Sequence, residues 1–239
     1  AVVGAARAAQ PEPAAHRLAT DFDEVLARRV EHLVGYQDAA YAARYRALVE
    51  RVRRTEAERA PGFAGLAEAV ARSYFKLLAY KDEYEVARLY TDGAFLKQVA
   101  EQFEGDYRLE FHLAPPLLAE RDPDTGHLKK RGYGPWLLTA FRLLARLKGL
   151  RGTAFDIFGY TAERQTERRL IADYERVVEE MLAGLGTDNH GLAVEIAAIP
   201  EHIRGFGHVK AASLEAAKRR EAELLAAFRA PAPRQSAAE

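Results

Sequence analysis

The chain has 239 residues, enough for one large domain or two small ones, with hydrophobic and charged fractions (49% and 29%) typical of a globular protein. Its 35 basic residues balance its 35 acidic residues, which argues against a general electrostatic hold on nucleic acid or anionic membrane. It has no cysteine, so it cannot ligate an iron–sulfur cluster. No apolar run approaches the roughly 18 residues of a membrane span. A cytoplasmic protein is expected.

Helical periodicity dominates the first half of the chain. Residues 1–19 are predicted to be a linker, and one long helix is predicted from an N-cap at Thr20 to about residue 59. Its inward stripe is apolar except at Gln37, Tyr41 and Arg44. A second helix is predicted over residues 63–91, followed by a short helix that ends near residue 103.

A small β-hairpin is predicted next. Apolar and polar residues alternate from Tyr107 to Leu113, which is the period of a half-buried strand. Residues 128–133 are the predicted partner strand, after a turn at residues 122–126.

The remainder again predicts helices. Residues 135–148 are apolar almost all round, which predicts a central, buried helix. Thr161 is the predicted N-cap of a long amphipathic helix that ends at Gly186. Helices over about 189–198 and 209–228 follow, and residues 230–239 are predicted to be a disordered tail. The prediction is a mainly α domain over residues 20–229, with about six to eight helices and one β-hairpin.

The loop over residues 150–160 has two interpretations. It carries large apolar side chains between two strong helices, and loops of this kind often bind a ligand. Alternatively it is a buried connection, with Phe155 and Phe158 in the core and Asp156 paired to a nearby arginine. The glycine-rich segment at residues 204–210 is similarly either an anion cradle or a tight connection between helices.

Carboxylates cluster at Asp82, Glu83 and Glu85. They point in different directions around a helix, so a solvated face with ion pairs is favoured over general acid–base catalysis. A free-standing enzyme that uses Asp82, Glu83 or Asp156 is the weakest alternative, because no nucleophile–base pairing is visible. The seven histidines form no standard ligand spacing, so no metal site is expected.

Several segments together resemble one enzyme family. They are QDAAYAARYRALVERVR (residues 37–53), ARSYFKLLAYKDEYEVARLYTD (71–92), FHLAPPLL (111–118), KKRGYGPWLL (129–138), LKGLRGTAFDIFGYTAERQTERRLI (147–171) and RGFGHVK (204–210). The chain resembles the C-terminal region of the fused bacterial indolepyruvate ferredoxin oxidoreductases, over about residues 25–229. Gln165 departs from the basic residue that this pattern leads us to expect.

The resemblance implies a parent enzyme that oxidatively decarboxylates a 2-oxoacid such as indolepyruvate. That enzyme would use thiamine diphosphate and iron–sulfur clusters, reduce ferredoxin and form an acyl-CoA. Those cofactors would be held by upstream catalytic domains, the expected partners, and none is expected in this chain. A non-catalytic helical domain is the first hypothesis, supporting assembly or lining a substrate or CoA channel, with a homo-oligomer also possible. No catalytic residue is carried over.

The second hypothesis is an anion- or CoA-binding domain built on a basic cluster. The candidate ligand-binding residues are Arg131, Arg151, Asp156, Arg164, Arg204, His208 and Lys210. Arginine suits such a site because its planar fork meets phosphate or carboxylate with two hydrogen bonds. The alternative is internal ion pairing of these cations with Asp156, Glu163 and Glu167.

Overall fold

The computed structural model describes residues 21–105, 108–113, 131–205 and 207–230, without the side chains of residues 207 and 208. Within these ranges the chain forms nine α-helices and one two-stranded sheet, which confirms the mainly α fold. The helices are α1 Phe22–Tyr36, α2 Ala39–Arg59, α3 Leu66–Leu78, α4 Glu83–Thr91, α5 Ala94–Gln102, α6 Leu137–Arg146, α7 Ala162–Gly184, α8 His190–Ala198 and α9 Gly207–Arg229. The predicted linker, the Thr20 cap, the turn at 122–126 and the tail after residue 230 lie outside the described residues.

The first predicted helix is two helices, and the single-helix prediction is wrong. Helix α1 ends at Tyr36, and the Asp38 side chain then accepts a hydrogen bond of 2.8 Å from the Tyr41 backbone N–H, as an N-cap does. Both helices direct apolar residues into the same core. The helical spacing of apolar residues therefore continues across the break. Periodicity alone does not reveal the N-cap at Asp38.

The second predicted helix is also divided in two. Helix α3 ends at Leu78, and the Asp82 carboxylate caps α4 by accepting from the Glu85 N–H at 2.9 Å. The Leu78 carbonyl is among those left without a partner at the helix end, and the Tyr41 hydroxyl donates to it at 3.0 Å. A tertiary hydrogen bond thus supplies a partner for a backbone carbonyl at the end of α3.

We call the larger hydrophobic cluster the main core, to which α1, α2, α3, α7, α8 and α9 contribute. Its buried side chains include Leu33, Tyr36, Tyr45, Val49, Leu66, Tyr74, Leu78, Tyr174, Met181 and Ile196. The rings of Tyr45, Tyr74 and Tyr174 stack in sequence, with centroid separations of 5.9 and 6.1 Å. This line of rings joins α2, α3 and α7.

We call the second cluster, formed by α4, α5, the hairpin and α6, the small lobe. Strands β1 (Phe111–Leu113) and β2 (Arg131–Tyr133) pair antiparallel, as predicted, with Phe111 opposite Tyr133. Phe141 of α6 packs against Phe111 at a ring separation of 5.8 Å.

Helix α6 is not the central helix that the sequence predicts. Phe141 is buried, but Trp136 and Leu143 are exposed. Apolar residues occur all round α6, yet it packs mainly against α4 and leaves the other side uncovered. The prediction for residues 135–148 is therefore wrong about burial.

The last three helices follow the sequence more closely. The Thr161 hydroxyl caps α7 by accepting from the Arg164 N–H, as predicted, although α7 ends at Gly184. Helices α8 and α9 lie where the periodicity predicts them. None of the described helices is both long and apolar enough to cross a bilayer.

Candidate functional site

A buried ion pair lies where the small lobe meets the main core. Arg151 follows a 3-10 turn at the end of α6, and its Nε and Nη2 donate to the two carboxylate oxygens of Asp82 at 2.5 and 2.9 Å. Both side chains are 4% exposed. This bidentate geometry is the strongest form of the arginine–carboxylate contact. It places Arg151 against the N-terminus of α4.

Arg151 also contacts the end of α1. Its Nη1 donates to the Tyr36 carbonyl at 2.6 Å and to Gln37 Oε1 at 2.8 Å. The guanidinium carbon lies 3.8 Å from the centroid of the Tyr36 ring, a cation–π contact. Burial alone would lower the pKa of Arg151, but its hydrogen bonds with Asp82 raise it, so the guanidinium stays charged.

Asp156 organises the loop that follows. Its buried carboxylate accepts from the Gly152 N–H at 2.9 Å and the Gly159 N–H at 3.1 Å, and it forms an ion pair with Arg168 of α7. The Tyr84 hydroxyl lies 3.3 Å from it. Although burial raises the pKa of Asp156, the Gly152 N–H and the Arg168 guanidinium together hold it below its ordinary value. Asp156 therefore stays ionised.

Gly159 lies directly against this ion pair. A Cβ at this position would lie 2.6 Å from Arg168 Nη2 and 2.8 Å from Asp156 Oδ2. Any side chain would push apart the two charged groups that hold the loop. The glycine therefore permits the loop to close over a buried carboxylate.

We name residues 152–161 the aromatic loop. Phe155, Ile157 and Tyr160 are 76%, 61% and 64% exposed, so the prediction that Phe155 lies in the core is wrong. Phe158 is half-buried, and its ring meets that of Tyr84 edge-on at 5.3 Å. The hydrogen bonds of Asp156 hold its carboxylate beneath the loop. The side chains of Phe155, Ile157 and Tyr160 therefore face outward. Asp156 paired to an arginine is the part of the buried-connection interpretation that is confirmed.

A cleft of about 250 Å³, which we name the arginine cleft, opens beside Arg151 between α2, the start of the aromatic loop and α7. Its lining residues are Gln37, Tyr41, Arg44, Tyr80, Arg151, Gly152, Arg168, Ile171 and Ala172. Burial raises the pKa values of Tyr41 and Tyr80, so both hydroxyls are neutral at pH 7. The cleft combines guanidinium donors with tyrosine rings.

The three lining arginines are each held by a carboxylate that is not part of the lining. Asp82 holds Arg151, and Asp156 holds Arg168. Glu175 of α7 accepts from Arg44 Nε and Nη2 at 2.7 and 2.6 Å. The guanidinium groups are therefore fixed in place on the cleft wall, each beside a carboxylate that balances its charge.

The predicted ligand-binding residues that the structure describes do not meet in one site. Arg164 donates to the Glu83 carboxylate at 3.3 and 3.4 Å, rather than to Glu163, and Lys210 forms an ion pair with Glu167. Among the predicted residues in the described ranges, only Arg151 lines the arginine cleft.

The other predicted cations lie elsewhere in the fold. Arg204 donates through Nε to the Glu201 carbonyl at 3.2 Å, and Arg131 lies on β2 opposite Leu113. The His208 side chain falls outside the described residues. Burial and the nearby Arg204 guanidinium, with a smaller contribution from Lys210, lower the pKa of Lys76 on α3.

The acidic cluster at the start of α4 is not a solvated face. Asp82 and Glu85 are buried, and Glu85 accepts from Arg88 Nε and Nη2 at 2.8 Å each. Only Glu83 remains partly open to solvent, beside Arg164. The sequence interpretation is therefore wrong about burial at two of the three carboxylates, although ion pairing is correct.

Several residues of the cleft escaped the sequence prediction. Gln37, Tyr41 and Arg44 belong to the predicted inward stripe, and their polarity within it was the available signal. Arg168 lies one helical turn after Arg164, so it shares the same face of α7. Their convergence depends on contacts between distant parts of the chain, such as Arg44 with Glu175.

The chain belongs to a family of unknown function (DUF6537), whose model matches residues 22–223. No curated protein and no solved structure matches the chain. In the described part of the chain, no group of three or more His, Asp or Glu side chains is placed to hold a metal ion.

Proposed function

We propose that this chain is a non-catalytic docking domain of a larger cytoplasmic enzyme, the indolepyruvate (2-oxoacid):ferredoxin oxidoreductase that its sequence resembles. In this proposal the upstream domains hold thiamine diphosphate and the iron–sulfur clusters, and react with CoA and ferredoxin. The helical domain packs on them, supports their assembly and lines part of a substrate or CoA channel.

The aromatic loop is the observation that carries this proposal. It exposes Phe155, Ile157 and Tyr160 within six residues of chain. Clustered exposed apolar side chains mark protein interaction sites, and aromatic residues are enriched among those that dominate binding energy. These three side chains are therefore the proposed contact with the catalytic domains.

The loop is also held in one conformation before any partner arrives. Asp156 fixes it from beneath through Gly152, Gly159 and Arg168, and the Tyr160 hydroxyl donates to the Ala154 carbonyl at 2.7 Å. A preformed loop loses little conformational entropy on binding, which favours its use as a rigid docking element.

The first experiment is deletion of residues 20–229 from the full-length enzyme. We expect loss of the assembled oligomer and of indolepyruvate-dependent ferredoxin reduction, measured by light scattering and by ferredoxin absorbance. A remainder that assembles and turns over normally would contradict the proposal, as would 2-oxoacid turnover by the isolated chain.

A sharper test uses the double substitution Phe155→Ser and Tyr160→Ser. We expect the separately produced chain to bind the remainder of the enzyme at least about tenfold more weakly, because exposed aromatic anchors dominate interfaces. Leu143→Ser is the matched control, since Leu143 is an equally exposed apolar residue on α6. Equal weakening in the control would remove the aromatic loop as the docking element.

A further inference from the structure

We propose that the arginine cleft binds a small organic oxyanion, a carboxylate or a phosphate monoester with a short apolar body. The proposal places an anion site between α2 and α7, and Arg151 is the described residue that this site shares with the predicted basic cluster. It is independent of the docking role of the aromatic loop.

The charge on the wall of the cleft is the first argument. Arg44, Arg151 and Arg168 all line it, and no aspartate or glutamate is among the described residues that do so. Guanidinium groups are the side chains best matched to carboxylate and phosphate oxygens. Gln37 also lines the cleft, and its Oε1 accepts from Arg151 Nη1, which helps to hold that guanidinium in place.

The fixed position of these arginines is the second argument. Arg151 is locked by Asp82 and Tyr36, and Arg168 is locked by Asp156. A long side chain that must be ordered on binding loses conformational entropy, which weakens the affinity. Here the protein has already ordered the guanidinium groups, as expected of a built site.

Arg44 supplies hydrogen-bond donors that the fold leaves open. Its Nε and Nη2 are bonded to Glu175, and its Nη1 makes no hydrogen bond to any residue that the structure describes. The Arg44 side chain is also 47% exposed. An oxyanion can therefore accept from Nη1 without breaking the ion pair with Glu175.

The size and lining of the cleft select the ligand. Its volume of about 250 Å³ lies below the range of about 300–1,000 Å³ that is usual for drug-sized ligands. A whole CoA molecule is too large, whereas a small carboxylic acid or phosphate monoester fits. Ile171, Ala172 and the rings of Tyr41 and Tyr80 offer apolar surface for the body of such a molecule.

The test is calorimetric titration of the 239-residue chain at constant ionic strength with three probes that share one ring. Phenylacetate carries a carboxylate, phenyl phosphate carries a phosphate, and benzyl alcohol is neutral. We expect saturable binding of phenylacetate or phenyl phosphate, and the tighter of the two identifies the headgroup. If neither anion binds, or if benzyl alcohol binds as tightly, the proposal is overturned.

Two matched substitutions on α2 locate the site. Arg44 and Arg51 both form exposed ion pairs with α7, to Glu175 and Glu179, but Arg44 lines the cleft and Arg51 does not. Arg44→Gln should weaken anion binding by about tenfold or more, because hydrogen bonds to charged groups are among the strong ones. Arg51→Gln should leave the affinity within about twofold.

Thermal unfolding of both variants establishes that they are folded. Wild-type affinity in Arg44→Gln, or an equal loss in Arg51→Gln, would rule out the arginine cleft as the site. These measurements use the isolated chain, so their outcome is separate from the test of docking.

Discussion

The main core and the small lobe are stabilised in different ways. The main core buries aliphatic and tyrosine side chains from six helices, and Leu33, Val49, Leu66 and Leu78 are completely excluded from solvent. The small lobe has Ala87, Phe111 and Phe141 in its buried cluster, and Tyr84 and Val99 are the other buried apolar residues of α4 and α5. A cluster of that size supplies little hydrophobic stabilisation. The small lobe must therefore depend on its attachment to the main core.

That attachment includes two charged side chains that donate to backbone carbonyls at the end of α1. Asp82 begins α4 of the small lobe, and Arg151 bonds both to it and to the Tyr36 carbonyl at the end of α1. Lys148 adds a second link, since its Nζ donates to the Gly35 carbonyl at 2.6 Å. Arg151 and Lys148 are more than 100 residues from α1 in sequence, and Arg151 is 69 residues from Asp82. The attachment therefore forms only when these distant parts of the chain fold together.

The largest expected effect comes from cutting this attachment. Arg151→Met leaves the Asp82 carboxylate buried without its cation, which typically costs about 3–5 kcal/mol. We expect the free energy of unfolding, measured in urea, to fall by that amount. Arg146→Met on exposed α6 is the control and should change it by less than about 0.5 kcal/mol. Equal effects would show that the buried pair does not hold the two regions together.

A cavity in the main core is the next test. Leu78→Ala should lower the free energy of unfolding by about 2–5 kcal/mol, because Leu78 is fully buried and its neighbours cannot fill the space. The loss should be global, so far-UV circular dichroism and tyrosine fluorescence should report the same midpoint. Separate midpoints would show that the two regions unfold independently.

A cavity in the small lobe should act locally. Phe141→Ala removes the ring that packs on Phe111 and Tyr90. We expect hydrogen exchange to accelerate in α6 and the hairpin, while amides of α7 keep their protection, because a small cluster can open without the main core. Leu143→Ala, exposed on the same helix, should leave exchange unchanged. Faster exchange in α7 would contradict local opening.

The pH dependence of Asp156 is a smaller effect. Its pKa is depressed in the folded chain, so the unfolded chain takes up the proton first as the pH falls. The stabilisation that ionised Asp156 contributes is complete above the ordinary aspartate pKa of about 3.9. It is lost as the pH falls through the depressed pKa of the folded chain. The unfolding free energies of wild type and Asp156→Asn should therefore differ at pH 7 and converge in acid. A constant difference would contradict this.

The smallest expected effect is that of an exposed ion pair on the surface of two main-core helices, α2 and α7. Arg51→Gln removes the contact with Glu179, and exposed pairs contribute about 0–1 kcal/mol. The urea midpoint should shift little, and less still at high salt, because screening weakens exposed pairs. A loss as large as that of Leu78→Ala would show that α2 and α7 depend on surface charge.

The sequence by itself determined the fold class, the β-hairpin and most helix positions. Helical period, the Thr161 cap and the alternation of residues near Phe111 are local properties, and they depend on neighbours within a few positions. Where two helices share one core, the period continues across the break, so the caps at Asp38 and Asp82 became visible only in the structure.

Only the tertiary structure decided which charges meet and which apolar residues face outward. The sequence identified Arg151 and Asp156 as candidate residues, but their partners Asp82 and Arg168 depend on how α4 and α7 pack. Phe155 is apolar, yet it is exposed because the buried Asp156 carboxylate turns the loop toward its own hydrogen-bond donors. Long-range ion pairs and their desolvation set these outcomes, and no local pattern encodes them.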